Sequence, residues 1–259
     1  MNAIAFEAAN QALLNRYLDE LSDPVGPVLP DGTRRTRAGK GTRGTFRQAI
    51  GSFRASRKSW EAFCAAPPDT IWAWSDLHLN HTNILRYGPR PMANVEQMNT
   101  QLLEAAQVVP QDHWLLFGGD LFVKRYPELQ EWLALCPGRK VLVLGNHDKP
   151  IANGWQDLGF EAATSVLAQV LTEPVRSPLV EGMVRQLWWT HYPMDARRLP
   201  AGTLNMHGHI HGHWLDGPRL NLSVERHDFA PRRLTELLAM NRPADTVSQD
   251  PHEGRDDER

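Results

Sequence analysis

The chain has 259 residues, 41% hydrophobic and 22% charged, which is the balance of an ordinary soluble globular protein and enough length for one catalytic domain with extensions. A net charge of -2 excludes an overall attraction to nucleic acid or membrane, though not a local basic patch. Two cysteines, Cys64 and Cys136, are too few for a disulfide framework or a thiolate zinc site.

From residue 1 to 68 the chain reads as an N-terminal extension. Ala12, Leu13, Leu14, Tyr17, Leu18 and Leu21 give an amphipathic helix, followed by a turn-rich piece holding Pro24, Gly26, Pro27, Pro30 and Gly32. A basic segment follows, with Arg34, Arg35, Arg37, Lys40, Arg43, Arg47, Arg54, Arg57 and Lys58. It is read either as a grip on nucleic-acid phosphates or as a solvated face or mobile arm. The start carries Glu7, Asp19 and Glu20 and does not resemble a signal peptide, and no run approaches the roughly 18 apolar residues that span a bilayer. A cytoplasmic protein with no membrane partner is therefore expected.

Residues 69–240 form the expected catalytic domain. Apolar runs predict strands at 70–75, 113–117, 140–144, 185–190, 204–207 and 220–224. Asn94 caps a helix with Met98, Leu102 and Ala106 on its apolar face, and a second helix starts at Pro127 and stops at Cys136-Pro137-Gly138. Strands alternating with helices predict an α/β layered domain. The polar, acidic stretch 241–259 reads as a disordered tail.

The first five predicted strands each end in a polar cluster. These are Asp76-Leu77-His78-Leu79-Asn80-His81, Gly118-Gly119-Asp120, Gly145-Asn146-His147-Asp148, His191-Tyr192-Pro193, and Gly208-His209-Ile210-His211-Gly212-His213. Ligands of open α/β sheets bind beyond the carboxyl ends of the strands, so the clusters converge on one volume. Alternation along an extended strand places Asp76 with His78, and His209 with His211, on one face. Carboxylates and imidazoles so gathered predict a shared metal site.

The ordered series Asp76-x-His78, Gly119-Asp120, Gly145-Asn146-His147-Asp148, His191 and Gly208-His209-x-His211 resembles the calcineurin-like metallophosphoesterase family over residues 70–238. His81, Asn83, Arg90-Pro91, Lys149, Tyr192-Pro193 and the stretch Asn221 to Glu225 further resemble a compact bacterial and phage-type branch. The resemblance implies a four-layer αββα sandwich of two mixed β-sheets with a dinuclear metal site at the strand ends. It implies that Asp76, His78 and His211 hold one metal, that Asp120 bridges, and that Asn146, His191 and His209 complete the second. It makes His147 a non-ligand that either donates a proton to the leaving oxygen or neutralises charge on the transferred phosphoryl, with Asp148 orienting it through its other ring nitrogen.

The implied activity is hydrolysis of a phosphomonoester or phosphodiester by metal-activated hydroxide, with two divalent ions as cofactor. Mixed nitrogen and oxygen ligands favour Mn, Fe, Zn, Ni or Co over Mg or Ca, with Mn or Fe first. His81 reads either as a substrate contact or as a cap on its turn. Arg86, Arg90, Lys149 and Tyr192 read as phosphate contacts, with surface salt bridges as the alternative for the charged ones. Trp72, Trp74, Trp114, Trp188 and Trp189 read mostly as core. His207 and His213 flank the ligand pair, and a turn at Gly212 directs His213 away. Two other functions compete: a nuclease gripping DNA or RNA through the basic segment, and a metal-binding scaffold without catalysis.

Overall fold

The computed structural model describes residues 3–22, 40–87, 90–123, 128–149 and 154–241. Among them are helices α1 (Ala3–Ser22), α2 (Lys40–Ala55), α3 (Arg57–Ala65), α4 (Ile84–Tyr87), α5 (Val95–Ala106), α6 (Glu128–Leu135) and α7 (Leu234–Ala239). The first sheet holds β1 (Ile71–Trp74), β2 (Trp114–Phe117), β3 (Arg139–Val143) and β4 (Phe160–Thr164) as parallel neighbours, and β9 (Arg232–Arg233) pairs antiparallel with β1. The second holds β5 (Val166–Arg176), β6 (Met183–Thr190), β7 (Thr203–His207) and β8 (Arg219–Asn221) in that order, antiparallel only between β5 and β6. Both sheets are mixed, and the expected α/β class is the observed one.

The period of two along each strand divides the core. Ile71, Ala73, Trp114, Leu116, Val141 and Val143 of the first sheet pack with Leu187, Trp189, Leu204 and Met206 of the second, which is the layer between the sheets. The alternate residues Trp72, Trp74, Leu115, Phe117 and Leu142 face outward with Met98 and Leu102 of α5 and Leu129 and Leu133 of α6. On that side Trp74 stacks on Trp132 of α6 with centroids 6.4 Å apart. On the outer face of the second sheet, Arg16 of α1 lies 5.4 Å over the Trp188 ring. Each sheet is thus covered by helix on its outer face.

The five tryptophans read as core are buried, as are the strands predicted around them. Asn94 caps α5 as expected: its Oδ1 accepts from Gln97 N at 2.8 Å, while Gln97 Oε1 accepts from Ala93 N at 2.8 Å. Three strands lie outside the runs that the apolar pattern predicts. Strand β4 is built on Ala162 and Ala163, which have weak β propensity, and β9 is two residues long. Strand β5 carries Pro174, tolerated because β5 is an edge strand.

The basic segment is not an arm over residues 40–65. There it forms α2 and α3, which lie against β4 and β5, while Arg34, Arg35 and Arg37 fall outside the described residues. Phe53 and Trp60 stack, and Phe63 inserts edge-on to Trp114 of one sheet (5.6 Å) and Trp189 of the other (6.1 Å). No helix among the described residues is long and apolar enough to cross a membrane. Truncating the fully buried Phe63 opens a void between the sheets, so Phe63→Ala is expected to lower stability by about 3–5 kcal/mol in denaturant unfolding.

Candidate metal centre

The site begins where the regular strands stop. Strand β1 ends at Trp74 and β7 at His207, so neither Asp76 and His78 nor His209 and His211 lie on an extended strand. All four have left-handed backbone, with φ of 60°, 51°, 71° and 45°, as has Asp120 at 51°. The residue pairs do converge as expected, but not through strand alternation. Left-handed turns at the ligand positions push Leu77, Leu79 and Ile210 into the core and leave the ligands opposite. Asp and His enter this region more readily than branched residues do, so ligand chemistry and backbone demand coincide. The loop after β1 is fixed to the loop after β2 by Asp76 N donating to Gly119 O, His78 N to Asp120 O and Leu79 N to Leu121 O, at 2.8–2.9 Å.

Among the described residues, three groups of side chains could each hold an ion, their ligand atoms lying within 4.8 Å of one another: Asp76, His78 and His211; His78, Asp120 and His147; and Asp120, His191 and His209. Asp120 stands at the centre. Its Oδ2 lies 3.2 Å from His191 Nε2, 3.7 Å from His78 Nε2 and 3.9 Å from His147 Nε2. Asn146 joins the third group through Oδ1, 3.1 Å from His191 Nε2. His207 and His213 are buried elsewhere and belong to none of the groups.

The ring orientations fit a metal. His191 Nδ1 faces the Gly118 carbonyl at 3.0 Å, which can only accept, so Nε2 is the nitrogen turned to Asp120 and Asn146. His211 Nδ1 likewise faces the Glu225 carboxylate at 3.0 Å. His78 Nε2 is buried without a hydrogen-bond partner and faces the Asp120 carboxylate. Burial, foremost, holds the His78 imidazole well below its ordinary pKa, and a neutral imidazole with an unshared lone pair is the ligating form. Glycines make room for the acids. A Cβ on Gly208 would collide with the Asp76 carboxylate, and one on Gly145 with Asp120.

Several expected roles come out differently. Asp148 does not orient His147: its carboxylate accepts from Asp120 N, Leu121 N and Gly145 N at 2.8–3.0 Å and so ties the loops after β2 and β3 together. Arg90 does not reach toward a phosphate. Its side chain is fully buried and donates to Glu225 Oε1 and to the carbonyls of Asp76 and Leu77. Its charge was legible in the sequence, but its direction was not. Tyr192 is also buried, its ring 4.0 Å from that of His209. His81 is half-buried with Nδ1 3.3 Å from His78 Nδ1, whereas Lys149 and Arg86 are exposed. The His147 side chain is 38% exposed, and its backbone N donates to Asp120 Oδ1 at 2.9 Å.

The stretch from Asn221 to Glu225 carries roles that sequence reading did not assign to any one of its residues. Glu225 links buried Arg90 to His211. The Ser223 hydroxyl donates to Asp76 Oδ2 at 2.8 Å, and Asn221 Nδ2 donates to the His211 and His213 carbonyls. Polar residues at 221, 223 and 225 alternating with buried Leu222 and Val224 were the available signal. Burial opposes ionisation of Glu225, but Arg90 and His211 outweigh it and bring its pKa to about 2. Burial also opposes protonation of His211 and His191, but Glu225 and Asp76 in one case, and Asp120 and Asp76 in the other, raise both to about 9.

A family model described as calcineurin-like phosphoesterase matches residues 70–253. The chain belongs to the calcineurin-like phosphoesterase family. An uncharacterized protein of Methanocaldococcus jannaschii is 40% identical to this family member over 181 residues, covering 66% of this chain and 90% of its own. A crystal structure of a protein of unknown function from Aquifex aeolicus aligns with 64% of this chain and 96% of its own at 21% identity and a TM-score of 0.48. The family match and the His/Asp cluster together support a metal-dependent hydrolase. Helices α1 to α3 precede the matched segment.

Protons on His191 and His211 must leave when a divalent ion binds. Apparent affinity is therefore expected to weaken as pH falls below about 9, with proton release visible in calorimetry across buffers of different ionisation enthalpy. Glu225→Gln removes the charge behind His211 and is expected to weaken binding of Mn(II) about 10–100-fold, while circular dichroism stays native.

Proposed function

We propose that the chain hydrolyses a phosphomonoester or phosphodiester at a dinuclear centre, with Asp76, His78 and His211 holding one divalent ion, Asn146, His191 and His209 the other, and Asp120 shared between them. The observation that carries this reading is the position of Asp120 Oδ2, with His191 Nε2 on one side and His78 Nε2 on the other. The ions, when bound, neutralise phosphoryl charge and supply an attacking water at neutral pH. Manganese or iron suits the nitrogen and oxygen donors best, with zinc, nickel or cobalt as alternatives.

The chain's own groups do the remaining work. Burial opposes ionisation of Asp120, but the charge and hydrogen bond of His191 outweigh it and hold the carboxyl well below the usual carboxylate range. It therefore stays an acceptor on both oxygens. His147, half-exposed at the rim and fixed through its backbone, donates a proton to the leaving oxygen. His81, packed against His78 and 6.2 Å from the His147 ring, forms the neighbouring wall on which a phosphoester would rest. Lys149, two residues after His147, is exposed and adds positive charge to the same loop.

The nucleic-acid reading gains no support among the described residues. Arg54 is paired with Glu7, and Arg57 with Glu61, so part of the basic segment is already neutralised. A scaffold without catalysis would have no use for a solvent-facing His147 at the rim of buried ligands.

With added Mn(II), the purified protein is expected to hydrolyse an aryl phosphate ester. Asp120→Asn should reduce the rate by orders of magnitude, and His147→Ala by about 10²–10⁴-fold with metal content retained. Well-folded protein that binds only trace metal and stays inactive on reconstitution would refute the proposal. Monoesters, diesters, cyclic nucleotides and nucleic acid compared side by side identify the substrate class.

A further inference from the structure

The loop after β6 carries His191, and its amides are satisfied in an unusual way. Tyr192 N donates to the Tyr17 hydroxyl oxygen at 2.8 Å, Met194 N to Asn205 Oδ1 at 2.8 Å and Asp195 N to Glu20 Oε1 at 2.5 Å. The residue between, Pro193, has no N–H. Each donor from Tyr192 to Asp195 is thus taken by a side chain from outside the loop, and two of the three acceptors lie on α1. A third point of attachment is Arg16, whose Nη1 donates to Arg198 O at 3.1 Å. Tyr17 and Glu20 are three residues apart and share a helix face.

These are not the contacts of a helix that only fills space. Tyr17 is fully buried and Glu20 is 4% exposed, and a carboxylate in such a position is costly unless it accepts hydrogen bonds. The aromatic contacts run toward the metal centre. The Tyr192 ring lies 6.5 Å from that of Tyr17, 6.4 Å from that of Phe46 of α2 and 4.0 Å from that of His209. His191 and His209 belong to the same group as Asp120. The group of Asp76, His78 and His211 is braced instead by Ser223, Arg90 and Glu225.

We propose that α1 is part of the metal centre, with Tyr17 and Glu20 acting as positioning residues for His191 and, through Tyr192, for His209. The ion at Asp120, His191 and His209 then depends on a helix outside the segment matched by the family model, whereas the other ion does not. The metal-binding half of this statement rests on the proposed function; the bracing of the loop does not.

The test uses the full chain with Tyr17→Phe, which removes only an oxygen, and with Glu20→Ala, with Glu20→Gln as the variant that keeps an acceptor. Amide exchange of Tyr192 and Asp195 in metal-free protein reads the bracing, and calorimetric titration with Mn(II) reads its consequence. Tyr17→Phe is expected to speed exchange at Tyr192, and Glu20→Ala at Asp195, by about tenfold. Both should weaken one of two Mn(II) equivalents by a similar factor and leave the other as in the wild type, while Glu20→Gln stays near wild type. Unchanged exchange in both variants overturns the proposal, as does faster exchange with both equivalents unaffected or both weakened alike. Wild-type protein that binds no Mn(II) overturns the phosphoesterase reading instead, and the exchange rates still decide whether α1 braces the loop.

Discussion

Asp120 is 2% exposed, and an ionised carboxylate at that depth persists only among donors and positive charge. The rest of the site is arranged to provide them. Its Oδ1 accepts from His147 N, its Oδ2 faces the His191 Nε2 at 3.2 Å, and its own backbone N is held by Asp148. Asp148 in turn gathers amides from the loops after β2 and β3, so the carboxylate that spaces the loops is not one of those grouped to hold an ion. Buried charge is stacked behind buried charge. Arg90 and Glu225 repeat the pattern on the other side, with His211 as the outward end.

Such an arrangement constrains the backbone. Five ligand positions take left-handed conformations, each costing on the order of 1–2 kcal/mol for a residue with a Cβ. The neighbouring loops must over-determine them. Parallel hydrogen bonds continue from β1 and β2 into the loops, and the bridge between Ser75 and Ser223 links the two sheets beside Asp76. The fold therefore does more than bring strand ends together: it supplies a rigid rim to which strained loops are fastened. On the β6 side the fastening is not supplied by the sheets alone, and α1 completes it.

The gathering of the ligands was legible in the sequence because metal chemistry restricts residue type. Core packing does not place Asp, Asn or His beyond the ends of five strands, here β1, β2, β3, β6 and β7, whereas a shared ion requires it. Strands with dense Val, Leu and Trp were legible for the same kind of reason, since burial on two faces demands them. The mechanism of convergence was not, because left-handed turns leave no periodic trace. Arg90 was misdirected because a guanidinium near a phosphate site and one buried behind a ligand look alike in sequence. The partners of Glu225 and Glu20 were hidden since each acts on a residue set apart along the chain, His211 or Asp195, and such pairings are set only by the fold. Strand β4 was masked by Ala162 and Ala163, whose small side chains suit close packing but give no strand signal.

Sharing of Asp120 between two ions can be seen by anomalous diffraction at the manganese edge, from crystals grown with Mn(II). Two peaks about 3.5–4 Å apart are expected, one among Asp76, His78 and His211 and one among Asn146, His191 and His209, with Asp120 between them. A single peak, or a pair that Asp120 does not touch, would contradict a dinuclear centre built on this carboxylate.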